Sequence, residues 1–184
     1  MNFKIQSSKF NFHPELVEGQ NSTLAITGSK SETNRLLLLQ ALFPNLELQN
    51  TSHSDDSEVM IKALCNSEPR TQNSELIDIH HAGTAMRFLT AFFAIQEGKE
   101  VILTGSSRMK ERPIKILVEA LQKLGADITY VENQGFPPII IKGKKITQNK
   151  VSLPANVSSQ YISALLLIAP QLENGLELTL EGEI

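Results

Sequence analysis

Tryptophan is absent from the 184 residues, and aromatic side chains make up only 5% of them. Base stacking, the usual grip on single-stranded nucleic acid, is therefore not a theme of this chain. Cysteine occurs once, at Cys65, which excludes a disulfide framework and a cysteine-rich zinc site. No apolar run approaches the ~18 residues of a membrane-spanning helix. The opening stretch, MNFKIQSSKFNFHPELVEG, sets charges and a proline where a secretory leader needs an apolar core. A cytoplasmic location is expected. An excess of positive charge is lacking too: 17 Lys and Arg stand against 20 Asp and Glu, a net charge of −3. That balance argues against a general nucleic-acid or membrane surface, so any bound anion must be met by a local group of cations.

What is present is an ordinary globular composition, 41% hydrophobic, in a length that suits one domain or one and part of another. Three stretches share a grammar: residues 22–43, 74–95 and 149–170. Each opens with strand-like alternation, at Leu24/Ile26, Ile77/Ile79 and Val151/Leu153. Each then passes through small or polar residues (GSKS, HAGT, NVSS) into a helix that is apolar almost all round, a pattern that predicts burial. A further strand is expected at Leu46–Asn50, Val101–Thr104 and Leu176–Leu180. A second helix is expected near residues 57–66 and over residues 113–124, the latter starting at Pro113 and stopping at Gly125. Residues 128–131 and 138–142 close the second unit as two strands. Its order is β-α-β-α-β-β. The third unit breaks off at Ile184, before its second helix and last strands. The pattern predicts an α+β fold with helices inside, sheets outside and a truncated third repeat, as part of a longer protein.

The turns carry the chemistry. A helix N-terminus offers free N–H groups and a positive dipole end to an anion. The first turn holds Lys30, Ser31 and Arg35. The second holds Gly83, Thr84 and Arg87, and the third Ser158, Ser159 and Gln160. Arginine near a helix start opposes the dipole, so two such cases ask for an anion. Arg108-Met109-Lys110-Glu111-Arg112-Pro113 adds three cations in six residues. Together these suit a small polyol bearing acidic groups. Asp55 and Asp56 read as acids at a helix start, Cys65 as core, and His80 and His81 as neighbours on a strand that chelate poorly. Lys142, Lys144, Lys145 and Lys150 read as a solvated group. No metal site or organic cofactor motif is expected.

GSKSETNR (28–35), HAGTAMR (81–87), RMKERP (108–113) and SSQY (158–161) together resemble the 5-enolpyruvylshikimate-3-phosphate synthase family, the 3-phosphoshikimate 1-carboxyvinyltransferases. The resemblance implies an inside-out α/β prism domain over residues 23–184. It also implies that residues 1–22 are a strand segment belonging with another, C-terminal domain. The implied activity moves the carboxyvinyl group of phosphoenolpyruvate to the 5-hydroxyl of shikimate 3-phosphate, in aromatic amino acid biosynthesis, without metal or cofactor. By motif, Lys30 touches both substrates, and Ser31, Arg35, Ser158 and Ser159 hold shikimate 3-phosphate. Gln160 lies between the two, and Gly83 and Arg108 hold phosphoenolpyruvate. No catalytic acid or base is expected within the 184 residues, so the chain alone is expected to be inactive. His81 and Phe88 depart from the family's usual Asn and Pro, which bears on phosphoenolpyruvate and glyphosate affinity. Three other readings stand beside this one: a non-catalytic module binding a phosphorylated polyol, a fragment of a UDP-N-acetylglucosamine enolpyruvyl transferase, and an RNA-processing terminal-phosphate cyclase.

Overall fold

The computed structural model describes residues 27–65 and 74–182. The expected strand at Leu24/Ile26 and the segment 1–22 lie outside them. Helices α1 (Lys30–Leu42) and α2 (Asp55–Cys65) come first. The second unit then runs as β1 (Glu75–Asp78), α3 (Gly83–Ala94), β2 (Glu100–Thr104), a single turn α4 (Ser107–Lys110), α5 (Lys115–Leu124), β3 (Asp127–Tyr130) and β4 (Ile139–Lys142). Apart from the extra turn, this is the β-α-β-α-β-β order read from the pattern. The third unit supplies β5 (Lys150–Pro154), α6 (Ser159–Ile168), a 3-10 turn Ala169–Gln171 and β6 (Glu177–Glu181).

Two sheets result. In the first, of order β1-β2-β4-β3, β1 and β2 run parallel while β4 is antiparallel to both β2 and β3. The second pairs β5 with β6 in parallel. The parallel pairs β1–β2 and β5–β6 each enclose one helix, α3 and α6, so the repeat is structural as well as textual. Alternation on the first sheet buries Val101, Leu103, Ile128, Ile139 and Ile141 and leaves the other face wetter. Among the described residues no helix is long and apolar enough to cross a membrane.

Helix α3 lies at the centre. It packs on α1, α2, α5, α6 and the sheet, and every residue from Gly83 to Ala94 except Arg87 is buried. Its large side chains Phe88, Leu89, Phe92 and Phe93 fill one broad side, and Thr84, Thr90, Ala91 and Ala94 are buried on the other, which is tolerable only with neighbours on all sides. The expectation of three wholly buried helices is corrected for the other two. Helix α1 buries Thr33, Asn34, Leu37 and Leu38, and α6 buries Tyr161, Ala164, Leu165 and Ile168 while Leu166 stands 53% exposed. Each is the flank of the described body, with α3 on one side.

Other boundaries moved for local reasons. Residues 46–50 form no ladder among the described residues, and Asn50 turns left-handed (φ 54°), ending any extended course there. Helix α5 starts at Lys115, with Ile114 as its non-helical cap at φ −126°, ψ 1°, so Pro113 stands outside the helix. Gly125 stops that helix at φ 108°, as its position suggested. His80 and His81 sit in a turn after β1: the Asp78 carboxylate accepts from the His80 N–H at 2.7 Å and folds the chain back, with His80 at φ 49°. Cys65 is exposed at the end of α2, where it lines an open hollow beside Leu37, Gln40 and Ala41 of α1 and is not packed into the core.

Candidate functional site

Four side-chain links fix how the three repeated helices stand. Gln160 Nε2, in the first turn of α6, donates to Thr84 Oγ1, in the first turn of α3, at 3.1 Å. Arg35, one turn into α1, donates through Nη2 to Ser163 Oγ of α6 at 3.2 Å. The same guanidinium lies over the Phe88 ring of α3, with Cζ 5.3 Å from its centroid. Arg87 of α3 lies over the Tyr161 ring of α6, again at 5.3 Å. All four links join residues of the first two turns to residues of the first two turns. The helices are therefore parallel, and their N-termini open at one end of the molecule.

Each turn brings its own groups to that end. On α1, Lys30 and Ser31 fall within the first helical turn, so the turn read as GSKS is shorter than its letters suggest. Lys30 Nζ lies 3.4 Å from Asp56 Oδ2, with side chains 49% and 12% exposed. Asp56 thus belongs to the start of α2, as expected, and also leans on the lysine. Beneath them a polar seam joins α1 to the loop before α2 and to its first turn: Ser52 N donates to Thr33 Oγ1 at 2.9 Å, and Ser57 Oγ to Asn34 Oδ1 at 3.1 Å. All four residues are buried. The seam ties the lysine's helix to its carboxylate's helix.

Arg35 and Arg87 solve the dipole problem partly by themselves. Each donates at 2.7 Å to the carbonyl four residues earlier, Ser31 O and Gly83 O. Each is also spread over an aromatic face of the next helix. An anion is therefore not needed to explain their presence, but both guanidiniums are held in place before one arrives. Arg87 Nε is buried with no hydrogen-bond partner among the described residues.

Gly83 opens α3 where space is short. A Cβ there would stand 2.8 Å from Arg112 Nη1 and 3.1 Å from Arg87 Nη1. Two guanidiniums thus approach one helix start, and glycine is the residue that lets them. Arg108 is exposed on α4, and Met109 beside it is buried and anchors the turn. Lys110 of the same run is drawn off to Glu132 at 2.7 Å. On α6, Ser158 is the N-cap, its hydroxyl accepting from Gln160 N at 3.4 Å, and Ser159 is the first helical residue, exposed.

Of the eight residues singled out in the sequence, Lys30, Ser31, Arg35, Gly83, Ser158, Ser159 and Gln160 all stand in the first two turns of α1, α3 and α6 or at their caps. Arg108 is on the adjoining run that reaches Gly83 through Arg112. The reading of single motifs names Thr84, Phe88 and Tyr161 but not as cross-links, and it passes over Ser163. Nothing in one motif shows what faces another. The lysine group noted earlier is engaged elsewhere: Lys142, Lys145 and Lys150 pair with Glu100, Glu173 and Glu177. A separate open hollow of about 560 Å³ between α1 and α2 contains none of the eight. Among the described residues no group of His, Cys, Asp and Glu is placed to hold a metal ion.

Comparison with known proteins gives this arrangement a family. The model of the family described as EPSP synthase (3-phosphoshikimate 1-carboxyvinyltransferase) matches residues 65–184. A 3-phosphoshikimate 1-carboxyvinyltransferase from Bacteroides fragilis is 52% identical over 164 residues, covering 89% of this chain and 38% of the relative. The enzyme of the same name from Haemophilus influenzae is 42% identical over 192 residues, covering 91% of this chain and 44% of the relative. A solved structure, EPSP synthase from Acinetobacter baumannii, superposes with a TM-score of 0.70 at 19% identity, over 88% of this chain and 41% of that one. At that identity the superposition speaks for the fold alone. The chain spans about two fifths of the length of the relatives it matches. With its mixed fold, its ordered motifs and these matches, the chain belongs to the EPSP synthase family.

Proposed function

We propose that the chain supplies the phosphoshikimate-binding side of a carboxyvinyl transferase. The observation that carries this is the convergence of three helix N-termini that hold, between them, cations and neutral donors of the expected kinds. Arg35 offers a two-pronged grip to a carboxylate or phosphate, and Ser31, Ser158 and Ser159 offer neutral donors to hydroxyl and phosphate oxygens. Lys30 is a mobile point charge that can leave Asp56 for a substrate. Gln160, tied to Thr84, stands between the third turn and the second, where both substrates would meet. Gly83 and Arg108 face the phosphoenolpyruvate side.

In the reaction so assigned, the 5-hydroxyl of shikimate 3-phosphate adds to phosphoenolpyruvate as its methylene gains a proton; phosphate then leaves as a proton is lost. That sequence needs a general acid and a general base. The eight residues named are cations, neutral donors and a glycine, so they bind and orient but do not move those protons. The acid and base are assigned to the second domain of the family's enzymes, with which residues 1–22 also belong. Residues 23–184 are assigned to one prism domain. A cytoplasmic setting goes with the reading.

The test is titration calorimetry on the 184-residue chain at low salt, with phosphate release measured alongside. Shikimate 3-phosphate should bind weakly and phosphoenolpyruvate alone hardly at all. Losing two or three charge-assisted bonds, each worth roughly 1.5–3 kcal/mol, is enough to hide so small an anion. Phosphate release from the two substrates should match a protein-free control. Turnover clearly above that control would place the acid and base within these residues. Equal affinity for the two ligands would overturn the division of roles.

A further inference from the structure

Tyr161 follows Gln160 directly on α6 and is 6% exposed. Its side chain reaches two other parts of the molecule at once. The ring lies under the Arg87 guanidinium of α3 at 5.3 Å. The hydroxyl donates to the carbonyl of Pro113 at 2.8 Å. Pro113 ends the run that bears Arg108 and Arg112, and Arg112 in turn crowds Gly83. One side chain thus touches the turn carrying Ser158–Gln160, the helix carrying Gly83, and the cationic run between α4 and α5.

The two contacts separate cleanly. A phenylalanine would fill the same space and present the same face to Arg87, so neither packing nor the cation–π contact needs the hydroxyl. The Pro113 carbonyl is also free to take the bond. Helix α5 draws its first turn from the next carbonyl, with Val118 N donating to Ile114 O at 3.1 Å. Other anchors of the run lie elsewhere along it: Met109 packs in the core, Lys110 reaches Glu132, and Ile114 N donates to Gly135 O at 2.8 Å. The hydroxyl is the polar tie from the run to α6.

The geometry points to Tyr161 as a positioning residue whose hydroxyl holds the run Arg108–Pro113 in register with the Ser158–Gln160 turn. That register matters because, on the reading above, Arg108 and Gln160 meet the same small anion; to this extent the inference rests on that reading. The residue touches neither substrate and acts through the run.

Amide hydrogen exchange on the 184-residue chain, native and Tyr161→Phe, tests it. The amides of Lys110 and Arg112, which donate to Ser106 O and Met109 O, should exchange about five- to tenfold faster in the variant, the effect of one lost hydrogen bond on local opening. Exchange in α3 and α5 should stay as in the native chain. Shikimate 3-phosphate should bind the variant within about twofold of native, because Ser158, Ser159 and Gln160 keep their helix. Unchanged exchange across 107–113 overturns the proposal. So does a uniform rise through α3, α5 and α6, which would make Tyr161 a general core residue, and so does a larger fall in phosphoshikimate affinity, which would place its effect on α6. If the native chain fails to bind shikimate 3-phosphate, the functional reading falls, and the exchange measurement alone still judges the tyrosine's tie.

Discussion

Arg35→Ala should lower the affinity of the chain for shikimate 3-phosphate by at least tenfold and up to several hundredfold. The guanidinium is held by three contacts: Ser31 O at 2.7 Å, Ser163 Oγ at 3.2 Å and the Phe88 face at 5.3 Å. Those contacts fix its plane between α1, α3 and α6 before any ligand arrives. One charge-assisted bond to a carboxylate or phosphate, at roughly 1.5–3 kcal/mol, is worth about ten- to a hundredfold, and the second arm of the fork carries the loss toward several hundredfold. Arg35→Lys should recover little, because an ammonium has no planar fork and cannot use the Phe88 face in the same way. The stability cost should be small, about 1 kcal/mol, since the arginine is only partly buried and its two hydrogen bonds are not core bonds. Calorimetric titration with shikimate 3-phosphate, beside thermal melts, separates the two effects. Affinity left unchanged in Arg35→Ala would remove Arg35 from the site.

Phe93→Ala should cost about 3–5 kcal/mol of folding stability, a large share of the roughly 5–15 kcal/mol that holds a domain together. Phe93 is 1% exposed in the central helix and meets Phe92 edge-on, with centroids 5.2 Å apart and planes at 76°. Its removal leaves a cavity among elements that surround α3 on all sides and have little room to collapse. Urea unfolding followed by circular dichroism reads the loss. Leu166→Ala, on the exposed face of α6, is the matched control and should change stability by less than about 0.5 kcal/mol. Similar costs at the two positions would mean that α3 is no more central than α6.

Much of the architecture was legible because period and punctuation were clear. Alternation at Val101–Thr104 and around Ile139–Lys142 located β2 and β4, and the amphipathic face of Leu117, Leu121 and Leu124 located α5. Gly125 marked its end because the left-handed conformation found there suits glycine. Cys65 was misjudged because a short helix end carries too few neighbours to define a face. The burial of α1 and α6 was overstated for a related reason. An apolar helix declares that it can be covered, but the pattern does not say by what.

The sequence by itself determined the repeat, the kinds of groups at each helix start and the four motifs by which the family was recognised, because these depend on residues close together in the chain. Only the tertiary structure decided how the turns face one another. Gln160 reaches Thr84 across 76 positions and Arg35 reaches Ser163 across 128. Contacts so distant leave no local period, and they exist only once α1, α3 and α6 pack with their N-termini together. The same packing placed Asp56 against Lys30, put aromatic faces beneath Arg35 and Arg87, and sent the Tyr161 hydroxyl to Pro113. In each case a residue's partner was chosen by the geometry of close-packed helices, a property of the assembled core that no single stretch of the chain encodes.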